Sequence, residues 1–130
     1  MKGVVMRVAR ACRDIDGLTR QYTRGLGMEV LSSWRDHEGF DGVVLGHAHA
    51  PWHLEFIHDR AAAPPPPPHE EQLLVFYLAE PDEWETRCAT MLAAGFTVVQ
   101  NGNPYWERNG RTFVDAEGGR TVLNRGAWPR

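Results

Sequence analysis

Two stretches of this chain carry the same punctuation. In DIDGLTRQYTRGLGMEVL (Asp14 to Leu31) and in DEWETRCATMLAAGFTVV (Asp82 to Val99), an aspartate suited to helix capping is followed thirteen residues later by a glycine, Gly27 and Gly95. A strand-like run precedes each stretch, VVMRVARAC and LLVFYLA, and a short β run follows each glycine, MEVL and FTVV. Further strands close both halves: FDGVVLGH and WHLEFIH in the first, RTFVDAEGGRTVLNR in the second, where EGG reads as a hairpin turn. Each half therefore reads β-α-β-β-β. One such half could not bury both faces of its sheet, so the two are expected to pair.

Between the halves runs AAAPPPPPH, residues 61–69. Proline has no amide donor and a fixed φ, so this run excludes helix and interior strand and favours an extended polyproline II spacer. The organisation expected is a single domain, 1–130, built of a first module (1–60), the proline-rich linker (61–69) and a second module (70–130). At 130 residues with 42% hydrophobic side chains the chain is long enough for one respectable core. A net charge of -3 gives no electrostatic reason to bind nucleic acid or an anionic membrane, which leaves a small molecule as the default partner. No apolar run approaches the length of a membrane span, and the N-terminus meets Arg7 before it could build a signal-peptide core, so the expected compartment is the cytoplasm. Cys12 and Cys88 read as reduced, partly buried thiols.

RGLGMEVL after an amphipathic helix, HLEF on a later strand and FVDAEGGRTVL near the end resemble the vicinal oxygen chelate superfamily. That superfamily includes glyoxalase I, extradiol dioxygenases, fosfomycin resistance enzymes and bleomycin resistance proteins. The resemblance covers nearly the whole chain. It implies an α+β fold in which paired β-α-β-β-β modules curl into a half-barrel around a cavity, commonly completed in a homodimer. It also implies where a metal would be held: one ligand on the first strand and one on the last strand of each module. Carried over residue by residue, those positions fall on Arg7, Glu55, Leu73 or Val75, and Val122. Arginine has no lone pair to give, and leucine and valine have no donor atom, so only Glu55 survives of the four. The chain thus looks like a glyoxalase-like subgroup lacking most metal ligands.

The stretch LGHAHAPWHLEFIH carries four histidines around Glu55. Strand alternation puts His53, Glu55 and Ile57 on one face. A divalent metal rebuilt from His47, His49, His53 and Glu55 is therefore the alternative to no cofactor. Arg7 opposite Glu55 suggests another use of the position, a bidentate ion pair. The same alternation turns Ala9, Ala11, Val75, Tyr77, Val122 and Asn124 inward. Trp52, Tyr105 and Trp106 could supply flat faces to a ligand. The ligand-binding set expected is thus Arg7, Trp52, His53, Glu55, Tyr77, Tyr105, Trp106 and Asn124. Trp34 and Phe40 are assigned to core or interface. Trp84, with Met91 and Leu92 further along, should pack the second helix on its sheet.

Two classes of function follow. In the first, like the bleomycin resistance branch, a metal-free protein sequesters a bulky or aromatic compound such as an antibiotic in a dimer cleft. In the second, Glu55 serves as base or ligand in a glyoxalase-like lyase, isomerase or dioxygenase, with or without a rebuilt metal site. The sequence leaves open whether any reaction is catalysed.

Overall fold

Asp14 and Gly27 bracket the first helix as their residue types dictate. In the computed structural model, which describes residues 1–129, α1 spans Ile15–Leu26. The Asp14 carboxylate accepts from the Gly17 amide at 3.0 Å, and Gly27 takes the left-handed conformation, φ 68°, that closes the helix onto the Tyr22 carbonyl. Twelve residues make a marginal helix in water, so packing must hold it. Ile15, Leu18 and Tyr22 supply the buried face, and the Tyr22 ring meets Phe56 with centroids 5.0 Å apart.

Four strands complete the first module: β1 (Met6–Ala11), β2 (Glu29–His37), β3 (Phe40–Gly46) and β4 (Trp52–Asp59). They form an open sheet in the order β1-β4-β3-β2, with β1 parallel to β4 and the other pairs antiparallel. Val43, Leu45, Leu54 and Phe56 are buried on the α1 side of this sheet. Each stabilises the fold by about 1.5–3 kcal/mol relative to exposure.

The second module repeats the plan with β5 (Leu73–Leu78), α2 (Pro81–Ala93), β6 (Thr97–Val99), α3 (Pro104–Asn109), β7 (Gly110–Val114) and β8 (Arg120–Arg125). Its sheet order, β5-β8-β7-β6, reproduces that of the first, again with a parallel outer pair. Three details depart from the expected pattern. Helix α2 begins at Pro81, so Glu80 is the N-cap and Asp82 lies in the first turn; proline's fixed φ starts the helix one residue earlier than the aspartate alone suggests. Its buried stripe is Trp84, Cys88 and Met91, while Leu92 is 50% exposed. Trp84, Cys88 and Met91 keep the i, i+4, i+7 spacing of a narrow stripe, and Leu92, at i+8, lies at its edge. Helix α3 interrupts the β-α-β-β-β order of this half; Asn103 caps it by accepting from the Tyr105 amide at 3.0 Å.

Trp84 anchors α2 by donating its indole N–H to the Leu123 carbonyl at 2.9 Å, with the guanidinium groups of Arg111 and Arg125 over its ring. Phe113 and Leu123 are fully buried. The EGG turn is tied by Asp115, whose carboxylate accepts from the Glu117 and Gly119 amides at 2.8 and 3.0 Å. The chain divides into two compact units between Pro66 and Pro67, inside the proline run. That run joins no strand ladder, and Pro67 lies against Gly118, close enough that a Cβ there would sit 2.8 Å from it. Among the described residues no helix is long and apolar enough to cross a membrane.

The β2–β3 hairpin is held by a buried carboxylate. Asp41 accepts from the Asp36 amide at 2.8 Å and from Arg60 Nε at 3.0 Å, while Asp36 and Glu38 both take positive φ in the bend. The Arg60 hydrogen bond, then that of the Asp36 amide, holds the Asp41 carboxyl below the usual carboxylate range. A depressed folded-state pKa adds stability that is complete above the unfolded value of about 3.9 and lost as the pH falls below it. Thermal melts followed by circular dichroism should therefore show wild type losing stability more steeply than Asp41→Asn from about pH 5 to pH 3. Parallel acid limbs would contradict this assignment.

Candidate functional site

The face of the first sheet turned away from α1 is built by register. Glu55 lies opposite Ala9 on β1 and Val44 on β3; His53 lies opposite Arg7 and Gly46; Ile57 lies opposite Ala11 and Gly42. Residues opposite one another share a face, so three rows cross the sheet. The first is charged and polar, the second is centred on Glu55, and the third is apolar.

Arg7 joins the first two rows. Its Nη1 donates to Glu55 Oε1 at 2.7 Å and its Nε donates to His53 Nε2 at 3.2 Å. An arginine nitrogen only donates, so His53 Nε2 is the acceptor and the imidazole proton sits on Nδ1. The Arg7 side chain is 47% exposed and that of Glu55 14%. An exposed pair of this kind adds only about 0.2–1 kcal/mol, so its larger effect is orientation: a cation, a carboxylate and an imidazole fixed in one plane of contacts.

The other histidines of the cluster go elsewhere. His47 stands edge-on to Trp52, ring centroids 6.3 Å apart, with its Nδ1 3.9 Å from Glu29. His49 is exposed in the β3–β4 turn, and His58 Nδ1 lies 3.0 Å from the Cys12 carbonyl oxygen. Trp52, next to His53 on β4, points off the opposite face. Among the described residues no three His, Cys, Asp or Glu side chains group in a way that could hold a metal ion.

The corresponding face of the second module is filled. Val122 and Asn124 on β8 are fully buried, as is Thr112 on β7, which accepts from Asn101 Nδ2 at 3.2 Å. Helix α3 lies on β7, with the Trp106 carbonyl so near Gly110 that a Cβ there could not fit. The aromatic residues do come together in this module: the Tyr77 and Tyr105 hydroxyls are 3.4 Å apart, Tyr105 is edge-on to Trp106, and Tyr77 meets Trp128.

Trp34, expected in the core or an interface, is half-buried and joins this face. It pairs with Gly42, and its indole occupies the space a Cβ of Gly42 would take, which lays it on the Glu55 face of the sheet. Register shifts between Val30 and Ser32 and between Trp34 and His37 break simple alternation along β2. The available signal was Gly42 itself, an interior-strand glycine that marks a close approach.

Residues 6–57 match the YycE-like N-terminal domain family and residues 71–125 the YycE-like C-terminal domain family. The chain is 35% identical to the uncharacterized protein YycE of Bacillus subtilis over 118 residues, 91% of this chain and 85% of that one. The chain belongs to the YycE-like family. The crystal structure of Bacillus subtilis YycE superposes with a TM-score of 0.87 at 32% identity, covering 100% of this chain and 96% of that chain. Two more distant structures share the fold. They are the fosfomycin resistance protein FosX from Mesorhizobium loti (TM-score 0.72, 9% identity, 98% and 94% covered) and TnmS3, an antibiotic binding protein from Streptomyces sp. CB03234 (0.66, 18%, 98% and 98%). This YycE-like chain therefore has the α+β fold of the glyoxalase and bleomycin resistance proteins, that of the vicinal oxygen chelate superfamily.

The Trp34–Gly42 contact is open to a double-mutant test. Gly42→Ala should cost about 1–3 kcal/mol in urea denaturation, because the added methyl displaces a packed indole. In a Trp34→Ala background the same change should cost little. Equal costs in both backgrounds would show that the indole does not lie on Gly42.

Proposed function

We propose that this YycE-like protein is a metal-free small-molecule binding protein of the cytoplasm, working as a homodimer, that sequesters a bulky or aromatic compound such as an antibiotic. The observation that carries the reading is the Arg7–Glu55 pair at 2.7 Å. The strand position that the superfamily's metalloenzymes give to a ligand holds a guanidinium, which cannot coordinate. That guanidinium engages the one carboxylate inherited at a ligand position.

Other features support the reading without carrying it. Structures with this fold include an antibiotic binding protein and a fosfomycin resistance protein. Strand β1, a sheet edge, exposes Met6 and Val8, which suits burial against a second copy. Both cysteines are buried and neither is in a disulfide, which suits a reducing compartment.

Elemental analysis after exposure to nickel, zinc, manganese and iron, followed by desalting, tests the central claim. The expected result is far less than one metal per chain, with binding of aromatic ligands unchanged by EDTA. Near-stoichiometric retention of one metal, lost in Glu55→Gln or His53→Gln, would overturn the proposal and point to a rebuilt catalytic centre.

A further inference from the structure

The first module's ligand face has two chemically distinct ends, and their separation is set by one strand. His53 and Ile57 lie four residues apart on β4 and share a face, which places the polar row about 13 Å from the apolar row. At the apolar end the Trp34 indole lies over Gly42, beside Ile57. That indole is half-buried, so part of its surface is left for stacking. Between the two ends Ala9, and at the apolar end Ala11, keep the β1 side of the face low.

The polar end offers donors and no net charge. Of the five guanidinium N–H groups of Arg7, one is committed to His53 and one to Glu55, and His53 presents its Nδ1–H. Because Glu55 already balances Arg7, an anionic ligand would have to compete with a fixed carboxylate and lie against it. A neutral oxygen acceptor meets the same donors without that repulsion.

We infer that the ligand of this face is a flat, uncharged molecule bearing a carbonyl oxygen at one end. Arg7 and His53 donate to the oxygen, and Trp34 and Ile57 hold the flat body. This rests on the small-molecule binding proposed above and narrows it to a chemical class.

A matched series of probes decides it: 2-acetylnaphthalene, 2-ethylnaphthalene and 2-naphthoate present the same flat body with a carbonyl, an alkyl group or a carboxylate. Binding to the intact protein is read by titration calorimetry and by the shift of the Trp34 indole N–H resonance, assigned with Trp34→Phe. We expect 2-acetylnaphthalene to bind about tenfold more tightly than either companion, the scale of one retained hydrogen bond to a charged donor. Arg7→Met should cut the ketone's advantage over the hydrocarbon to about threefold, since only the His53 donor remains, and Arg7→Met with His53→Leu should abolish it. Arg7→Lys, which keeps the charge beside Glu55, should retain part of the preference. Trp34→Ala should weaken the ketone and the hydrocarbon alike.

Tightest binding by 2-naphthoate or 2-ethylnaphthalene would overturn the inference while leaving metal-free binding intact. Failure of all three to move the Trp34 resonance would overturn it as well. Stoichiometric metal retention is a separate readout, and it would overturn the underlying proposal whichever probe binds best.

Discussion

A parallel ladder between β1 and β4 sets Arg7 beside His53 and Ala9 beside Glu55. These partners are more than forty positions apart in the chain, and no local preference could bring them together. Parallel strands need a crossover, and here the crossover is α1 followed by the β2–β3 hairpin. If α1 failed to dock through Ile15, Leu18 and Tyr22, β1 would lose its register and the charged row would disperse. The chemistry of the face is thus held by apolar packing on the opposite side of the same sheet.

Duplication of this plan has not produced two equivalent faces. The first module joins β2 to β3 by a tight bend at Glu38 and Gly39, with positive φ at both, and leaves its face free of any helix of its own. The second inserts α3 at the corresponding point, and its Val122, Thr112 and Asn124 are buried. One topology therefore yields a polar, donor-rich surface in one half and a packed interior in the other. The difference lies both in that connection and in the strand residues, Arg7, His53 and Glu55 in one half against Val75, Val122 and Asn124 in the other.

Much of this architecture was legible because it depends on local chemistry. Asp14 and Gly27 fix α1 through capping, and the alternation of His53, Glu55 and Ile57 along β4 predicts their shared face; Arg7 does meet Glu55 there, but through Nη1 alone and not bidentately, because its Nε turns to His53. What sequence reading missed depends on irregularity or on competition between near-equal choices. The place of Trp34 on the Glu55 face was hidden because bulges along β2 shift its register, and Leu92 stands one residue beyond Met91, about 100° further around α2 and off its buried stripe. Helix α3 is six residues long, too short for a periodic pattern, although Asn103 followed by Pro104 was a usable start signal. That the histidines around Glu55 part company reflects the turn at His47–Ala50, whose geometry no periodicity encodes.

Two sheets with the same strand order in one chain create a hazard during folding: a strand from one half can pair with the wrong half, as happens in tandem repeats that misassemble. The proline run bears on that hazard. Five consecutive residues without an amide donor cannot extend β4 or β5 into a longer ladder, nor serve as a surrogate strand on any of the open edges. The segment that separates the halves thus also insulates them, so that each sheet can complete its own pairing before its near-copy competes for the same partners.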